Sequence, residues 1–133
     1  MTGYARVAAE TRSARAAHYL YDRLAPWREH IDCPGNTVNG SVAQYLGLLA
    51  ATLGHLDDAT MHFNEALRAH ERIRAPYWIA TTRLEKARML LERAQPNDQQ
   101  EARLALQEAL GVARLMGFAS VARGAAELLP RAS

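Results

Sequence analysis

The 133-residue sequence has little cysteine, few aromatic residues and no long apolar run. Cys33 is its only cysteine, which excludes a disulfide within the chain and favours a reducing compartment. No apolar stretch approaches the roughly 20 residues needed to span a bilayer, and the first residues lack the apolar core of a secretory signal. We therefore expect a cytoplasmic protein that does not enter a membrane.

An excess of charge of one sign is also missing. The 16 Lys and Arg residues and the 14 Asp and Glu residues are interspersed along the chain, and the formal net charge is +2. Nucleic-acid binding usually needs a block or patch of positive charge, which this distribution does not provide. We expect no direct contact with nucleic acid.

Motifs for nucleotide binding and hydrolysis are absent from the sequence. It has no Walker phosphate loop, no Gly-x-Gly-x-x-Gly, no Gly-x-Ser-x-Gly and no His-Glu-x-x-His. We therefore predict no catalytic site, no cofactor and no metal. His55, Asp58 and His62 have a spacing that a metal site could use, but their place at a turn and a helix start predicts ordinary surface residues.

What the sequence does contain is one helical pattern that recurs at intervals of about 43 residues. Small or apolar side chains occupy positions i, i+4, i+7 and i+8, which is the period of an amphipathic helix and excludes a strand. The first copy begins Ala17, Tyr21, Leu24; the second is Ala59, Phe63, Ala66, Leu67; the third is Ala102, Leu106, Ala109, Leu110. Self-similarity at this period predicts a repeat architecture.

A further helix precedes each of the last two copies and forms a hairpin with it. Ser41 is placed to cap the first of these helices, and Gly54 to end it. The sequence therefore predicts an all-α fold, a short solenoid of stacked antiparallel hairpins in a single domain over 1–133. Its expected units are a partial repeat at 4–31, a repeat at 41–75, a degenerate repeat at 77–117 and a capping helix at 118–129.

The repeat at 41–75 resembles the tetratricopeptide family, whose 34-residue unit folds as two antiparallel helices. Leu46, Gly47, Ala59, Phe63 and Ala66 carry this resemblance, because they lie at the spacing of the family signature. The second unit keeps the pattern less completely. The resemblance implies a module that binds proteins.

Three segments are similar to the C-terminal helical repeats of large actinobacterial regulators. They are 20–27, 45–54 and 83–91. Those regulators join an adenylate-cyclase-like or LuxR-type DNA-binding domain to an ATPase module, and neither part is present here. The resemblance implies a non-catalytic protein-interaction and signal-sensing module of a bacterial regulator, transcriptional or cyclase-type.

The same family implies a binding groove along the inner helix of each hairpin. Its inward positions in this sequence would be Ser41, Gln44, Leu48 and Thr52 in the first unit, and Thr81, Glu85, Arg88 and Met89 in the second. This mixture of polar and apolar groups suits an extended peptide or a helix of a partner domain. In the other interpretation, the chain's own final helix at 118–129 fills the groove.

The first hairpin is expected to be incomplete, because too few residues precede the helix at about 14–25. Its face of Ala17, Tyr21 and Leu24 would then be uncovered, and exposed apolar faces of this kind tend to bind a partner. We expect a homodimer, or docking on a separate chain, through this assembly face.

Two other functions are compatible with the sequence. In the first, a pocket among Trp27, Tyr45, Trp78 and Arg88 holds a small molecule, and the domain is its sensor. In the second, a small enzyme uses Cys33, whose thiolate would need a base such as His30 beside it.

Overall fold

The computed structural model describes residues 2–33 and 39–133, and helices make up most of this range. The helices are α1 (Thr2–Glu10), α2 (Ala14–Leu24), α3 (Val42–Thr52), α4 (Leu56–Arg72), α5 (Pro76–Arg93), α6 (Asp98–Met116) and α7 (Ala119–Leu128). Short 3₁₀ turns follow α2 at Ala25–Trp27 and α7 at Leu129–Ala132. An isolated antiparallel bridge joins Ile31 to Ser41, and no strand lies within the described ranges. The predicted all-α class is confirmed.

Residue contacts divide the chain into two compact units, Met1–Arg72 and Ile73–Ser133. Unit 1 contains α1 to α4, and unit 2 contains α5 to α7. The division lies close to the predicted border between the repeats at 41–75 and 77–117. Whether the two units unfold together, as a single domain over 1–133 would, therefore stays a prediction.

Helix α3 is the centre of unit 1. Every residue from 42 to 50 is buried, and the helix packs against α1, α2 and α4. The Ser41 hydroxyl accepts a hydrogen bond of 3.2 Å from the Ala43 amide, which confirms the predicted N-cap. A Cβ atom at Gly47 would lie 2.8 Å from ring carbons of Phe63, so glycine allows α3 and α4 to approach closely.

Helix α1 completes a hairpin with α2, although the sequence predicts this hairpin to be incomplete. It contacts both α2 and α3. Its buried side chains are small, namely those of Thr2, Ala5 and Ala8, whereas Tyr4 and Val7 are exposed. Nine residues are therefore enough to cover α3, because methyl-sized side chains let the helix backbones approach.

Unit 2 is a long hairpin of α5 and α6 with α7 packed on both helices. The connection between α5 and α6 is short, 94–97, because α6 begins already at Asp98. The Asp98 carboxylate accepts hydrogen bonds from the Arg93 guanidinium at 2.7 and 2.8 Å and from the Gln95 amide at 3.0 Å. These bonds, with a negative charge in the first turn, explain the early start of α6. Gly117, at φ +79°, ends α6, because glycine adopts the left-handed conformation of a helix C-cap without strain.

Within the described part of the chain, no helix is both long enough and apolar enough to cross a membrane.

Candidate functional site

A depression of about 430 Å³ lies on unit 1. Its lining comes from the segment after the first 3₁₀ turn, from the cap of α3 and from the C-terminal half of α4. We call it the basic pocket, and its residues are Arg28, Glu29, Ser41, Glu65, Arg68, Ala69 and Arg72. All seven belong to unit 1, so the site is complete within that unit.

Three guanidinium groups give the basic pocket its character. Arg68 and Arg72 are four residues apart on α4 and therefore lie on one face of the helix, while Arg28 approaches from another segment. All three residues are exposed, and none of their guanidinium groups forms an ion pair or hydrogen bond within the described ranges. Guanidinium groups bind carboxylates and phosphates through paired hydrogen bonds. The pocket therefore offers donors to an anionic ligand.

Ser41, the buried residue of the pocket lining, is hydrogen-bonded to His70. The Ser41 amide donates a 2.8 Å hydrogen bond to Nε2 of this histidine, and both residues are buried. Burial lowers the pKa of His70 to about 4, so the imidazole is neutral near pH 7. Since Nε2 accepts, the ring proton is on Nδ1. This bond ties the start of α3 to the end of α4.

A second buried histidine lies next to a pocket residue. Nε2 of His62 is 2.7 Å from the Tyr21 hydroxyl, and the two rings meet edge to face. Nδ1 of His62 is 3.9 Å from a carboxylate oxygen of Glu65 and has no hydrogen-bond partner among the described residues. Burial lowers the pKa of His62, with Arg28 adding to the effect and Glu65 opposing it.

A third polar cluster in unit 1 connects α1, the segment before α3, and α3 itself. Asp32 accepts hydrogen bonds from the Thr2 hydroxyl and, at 3.2 Å, from the Asn39 amide group. The Tyr45 hydroxyl donates to the Asn39 carbonyl, and the Arg6 guanidinium lies 5.9 Å from the centre of the Tyr45 ring. These contacts fasten α1 to the segment that leads into α3.

The predicted groove residues of unit 1 are mostly buried. Ser41, Gln44 and Leu48 are buried, and the half-buried Thr52 hydroxyl donates to the Leu48 carbonyl at 2.9 Å. Helix α1 packs on the helix that carries them. A ligand would have to displace α1 or another helix to reach Gln44. Only Ser41 also lines the basic pocket.

The groove residues predicted in unit 2 are also buried or paired. Thr81 and Met89 are buried, whereas Arg88 is exposed and pairs with Glu85 at 2.9 Å. Helix α7 packs on α5 so closely that a Cβ at Gly124 would lie 2.9 Å from a methyl carbon of Leu84. That contact agrees with the interpretation in which the final helix covers α5. A binding role for the eight groove residues stays a prediction.

The predicted assembly face is packed inside unit 1. Ala17 and Leu24 are buried, and Tyr21 is half-buried with its hydroxyl on His62. The reason is that α1 and α3 both contact α2 and leave no uncovered face there. Self-association through these three residues stays a prediction and would require unit 1 to open.

The residues of the two alternative functions form separate local contacts. Trp27 is exposed and meets His30 edge to face, while Trp78 contacts Tyr77 in the same manner. Cys33 is exposed, and the remainder of its predicted turn, 34–36, lies outside the described residues. Among the residues described, no group of three or more His, Cys, Asp or Glu side chains is placed to hold a metal.

The sequence interpretation missed the basic pocket. The spacing of Arg68 and Arg72 was visible, but a pair of arginines one helical turn apart is common on exposed faces. Arg28 lies in a different segment, directly after α2 and its 3₁₀ turn. It is 40 positions away from Arg68 in the sequence, and nothing local indicates that the two share a pocket.

Comparisons with known proteins find no relative of this chain. The tetratricopeptide and regulator resemblances therefore depend only on the sequence segments that carry them. No protein-family model, no curated protein and no solved structure matches the chain.

Proposed function

We propose that the chain is a non-catalytic binding module that recognises an acidic segment of a partner protein. The observation that carries this proposal is the set of three exposed guanidinium groups around one pocket, without internal carboxylate partners in the described ranges. Unpaired arginines at a concave site are the usual way in which proteins receive carboxylates. The role that we propose for this arrangement is binding, without conversion of the ligand.

The other polar groups of the pocket support binding over catalysis. The Ser41 hydroxyl accepts the capping hydrogen bond of α3, and the residue is only 1% exposed, so it is poorly placed as a nucleophile. His62 is buried with Nε2 at the Tyr21 hydroxyl, so its imidazole is poorly placed to act as a base on a ligand in the pocket.

A protein segment suits the size and charge of the pocket. A volume of about 430 Å³ accommodates one or two side chains and their backbone, and the arginines are exposed to a surface-bound chain. Glu29 and Glu65 also line the site, so the three positive charges are partly balanced. A segment that carries carboxylates together with amide or amine donors matches this lining better than a bare polyanion.

The broader role follows from the resemblance. We place the module in a bacterial regulator, where a short tetratricopeptide-like stack would relay the binding of a partner. The close contact of Gly47 with Phe63 at two signature positions supports this part of the proposal.

The test is binding of a fluorescein-labelled, glutamate-rich peptide, measured by fluorescence anisotropy at low salt. The control peptide has glutamine at every glutamate position. We expect the double variant Arg68→Glu, Arg72→Glu to lose about tenfold or more in affinity, because two donors become repulsive carboxylates.

The matched control variant is Arg103→Glu, Arg114→Glu, which changes net charge equally at exposed positions of α6. Its affinity should change by less than about twofold. Equal losses in both double variants would show diffuse charge attraction, and no preference for the glutamate peptide would refute the proposal. A higher affinity for free glutamate or phosphate than for the peptide would point to the small-molecule alternative.

A further inference from the structure

We infer that binding of an acidic ligand in the basic pocket is coupled to uptake of one proton by His62, so that affinity rises as pH falls. The inference rests on the proposed function and adds a mode of regulation to the same site. It starts from a buried imidazole nitrogen that has no hydrogen-bond partner among the described residues.

The geometry holds the His62 ring between two elements. The residue lies on α4 and is 2% exposed, and its Nε2 is 2.7 Å from the hydroxyl of Tyr21 on α2. The opposite nitrogen, Nδ1, faces Glu65 at 3.9 Å, one helical turn along α4. Buried polar atoms normally have partners, so an unsatisfied Nδ1 beside a carboxylate marks a group that can change state.

Charged groups from the neighbouring elements act on His62 in opposite directions. Glu65 and Asp58 on α4 favour the imidazolium form, whereas Arg28 and burial disfavour it. Helix α3, which also packs on α4, carries no charged side chain, and its Tyr45 hydroxyl is bonded to the Asn39 carbonyl. Without a ligand the balance favours neutral imidazole, and the pKa of His62 is below its usual value.

An anionic ligand changes this balance through Arg28. A carboxylate bound to Arg28 cancels the positive charge that opposes protonation, while the charges of Glu65 and Asp58 remain. The imidazolium form is then favoured relative to the free protein. By linkage, a ligand that raises the affinity for a proton must itself bind more tightly to the protonated protein.

The proton needs only two local hydrogen-bond changes. Nε2 of His62 and the Tyr21 hydroxyl share one hydrogen bond, and either group can be its donor while the imidazole is neutral. The imidazolium carries a proton on both nitrogens, so Nε2 then donates to the phenol oxygen, the phenol hydrogen turns toward solvent, and the Nδ1 proton faces Glu65. Tyr21 is half-buried, so the rotation does not require the helices to separate.

The first experiment needs no ligand. The imidazole resonances of His62 are titrated by NMR in the wild type and in Arg28→Gln, which mimics a neutralised Arg28. We expect the pKa of His62 to rise measurably in Arg28→Gln, because the substitution removes a positive charge that disfavours the imidazolium, although burial remains the largest influence. The control is Arg103→Gln, which should leave this titration unchanged. An unchanged pKa in Arg28→Gln would overturn the coupling whether or not any peptide binds.

The second experiment measures the linkage itself. Binding of the glutamate-rich peptide is followed by calorimetry in two buffers of different ionisation enthalpy, from about pH 7 down to about pH 5, because burial lowers the pKa of His62 below the ordinary histidine value. We expect the wild type to take up protons and to bind several-fold more tightly at the lower pH.

Two histidine variants separate the outcomes of this measurement. His62→Gln should bind with no proton uptake and a flat pH profile, while His18→Gln, on the exposed face of α2, should behave as the wild type. Peptide binding with equal proton uptake in His62→Gln would refute the inference and leave the proposed function intact. Absence of peptide binding at every pH would refute the proposed function, and the Arg28→Gln titration would still decide the coupling.

Discussion

The two units place their polar groups in different ways. In unit 2 three ion pairs join α5 to α6: Arg93 pairs with Asp98, Lys86 with Glu101 and Arg83 with Glu108. In unit 1 the buried polar groups include two histidines of lowered pKa, and three pocket arginines are left without such partners in the described ranges. Charges paired within a unit support its fold, whereas unpaired charges at a pocket remain available to a ligand. This difference is the reason why the proposed binding site lies in unit 1.

The largest expected effect is a difference in acid sensitivity. The folded pKa of His70 is about 4, against 6.5 when unfolded, so the unfolded chain holds a proton between these values and the folded chain does not. The stability of unit 1 should be full above about pH 6.5 and should fall by about 3 kcal/mol on acidification to pH 4. His62 acts in the same direction.

The stability of unit 2 should begin to fall only at a lower pH than that of unit 1. The hydrogen bonds from Arg93 lower the pKa of Asp98, so its contribution is present above the unfolded value of 3.8 and is lost as pH falls below it. Each unit holds one tryptophan, so the variants Trp78→Phe and Trp27→Phe report units 1 and 2 separately in urea unfolding. In unit 1, His70→Gln should remove most of the dependence of the free energy of unfolding on pH above pH 4. Coincident curves for both reporters at all pH values would instead show one cooperative domain.

The second effect is a loss of stability in unit 2 when the ion pair between Arg93 and Asp98 is removed. Asp98→Ala leaves the Arg93 guanidinium and the Gln95 amide without their acceptor, and we expect a loss of about 2 kcal/mol in the stability reported by Trp78. Glu101→Ala is the control, because its pair with Lys86 is half exposed and should contribute less than about 1 kcal/mol. Equal losses in the two variants would contradict a special role for Asp98.

The last comparison concerns three glycines, Gly47 of unit 1 and Gly124 and Gly111 of unit 2, with expected effects of about 2 kcal/mol and less. Gly47→Ala drives a Cβ into the Phe63 ring, which is 1% exposed, and should cost about 2 kcal/mol. Gly124→Ala meets only the end of the flexible Leu84 side chain, and about 1 kcal/mol is expected. Gly111→Ala on an exposed turn of α6 has no atom within 4 Å and should stabilise by about 0.5 kcal/mol. Thermal unfolding of the three variants gives the order, and a reversed order would contradict the packing described for α3 and α4.

Much of the fold was accessible from the sequence because it depends on local rules. The recurring pattern that begins at Ala59 predicts α4, and the corresponding positions from Ala102 predict α6. The capping role of Ser41 and the helix end at Gly117 follow from side-chain and backbone preferences that act within one turn. The start of α6 at Asp98 was missed, because it depends on a hydrogen-bonded pair with Arg93 and not on periodicity.

The candidate site could not be derived in the same way. Ser41, Gln44 and Leu48 were placed along a groove by analogy with a longer solenoid, but α1 packs on the helix that carries them. The short stripe of α1 gave no sign that small side chains would be enough for this packing. The pocket instead gathers Arg28 and Arg68, whose proximity follows from how α2, α3 and α4 pack.

The sequence by itself determined the all-α class, the helical period and most helix ends, since each depends on residues within about four positions of one another. Only the tertiary structure decided which polar groups meet. Tyr21 reaches His62 across 41 positions and Ser41 reaches His70 across 29. Such pairs are selected by the packing of whole helices, because the burial of apolar faces sets the helix positions and the polar side chains must then find partners within them.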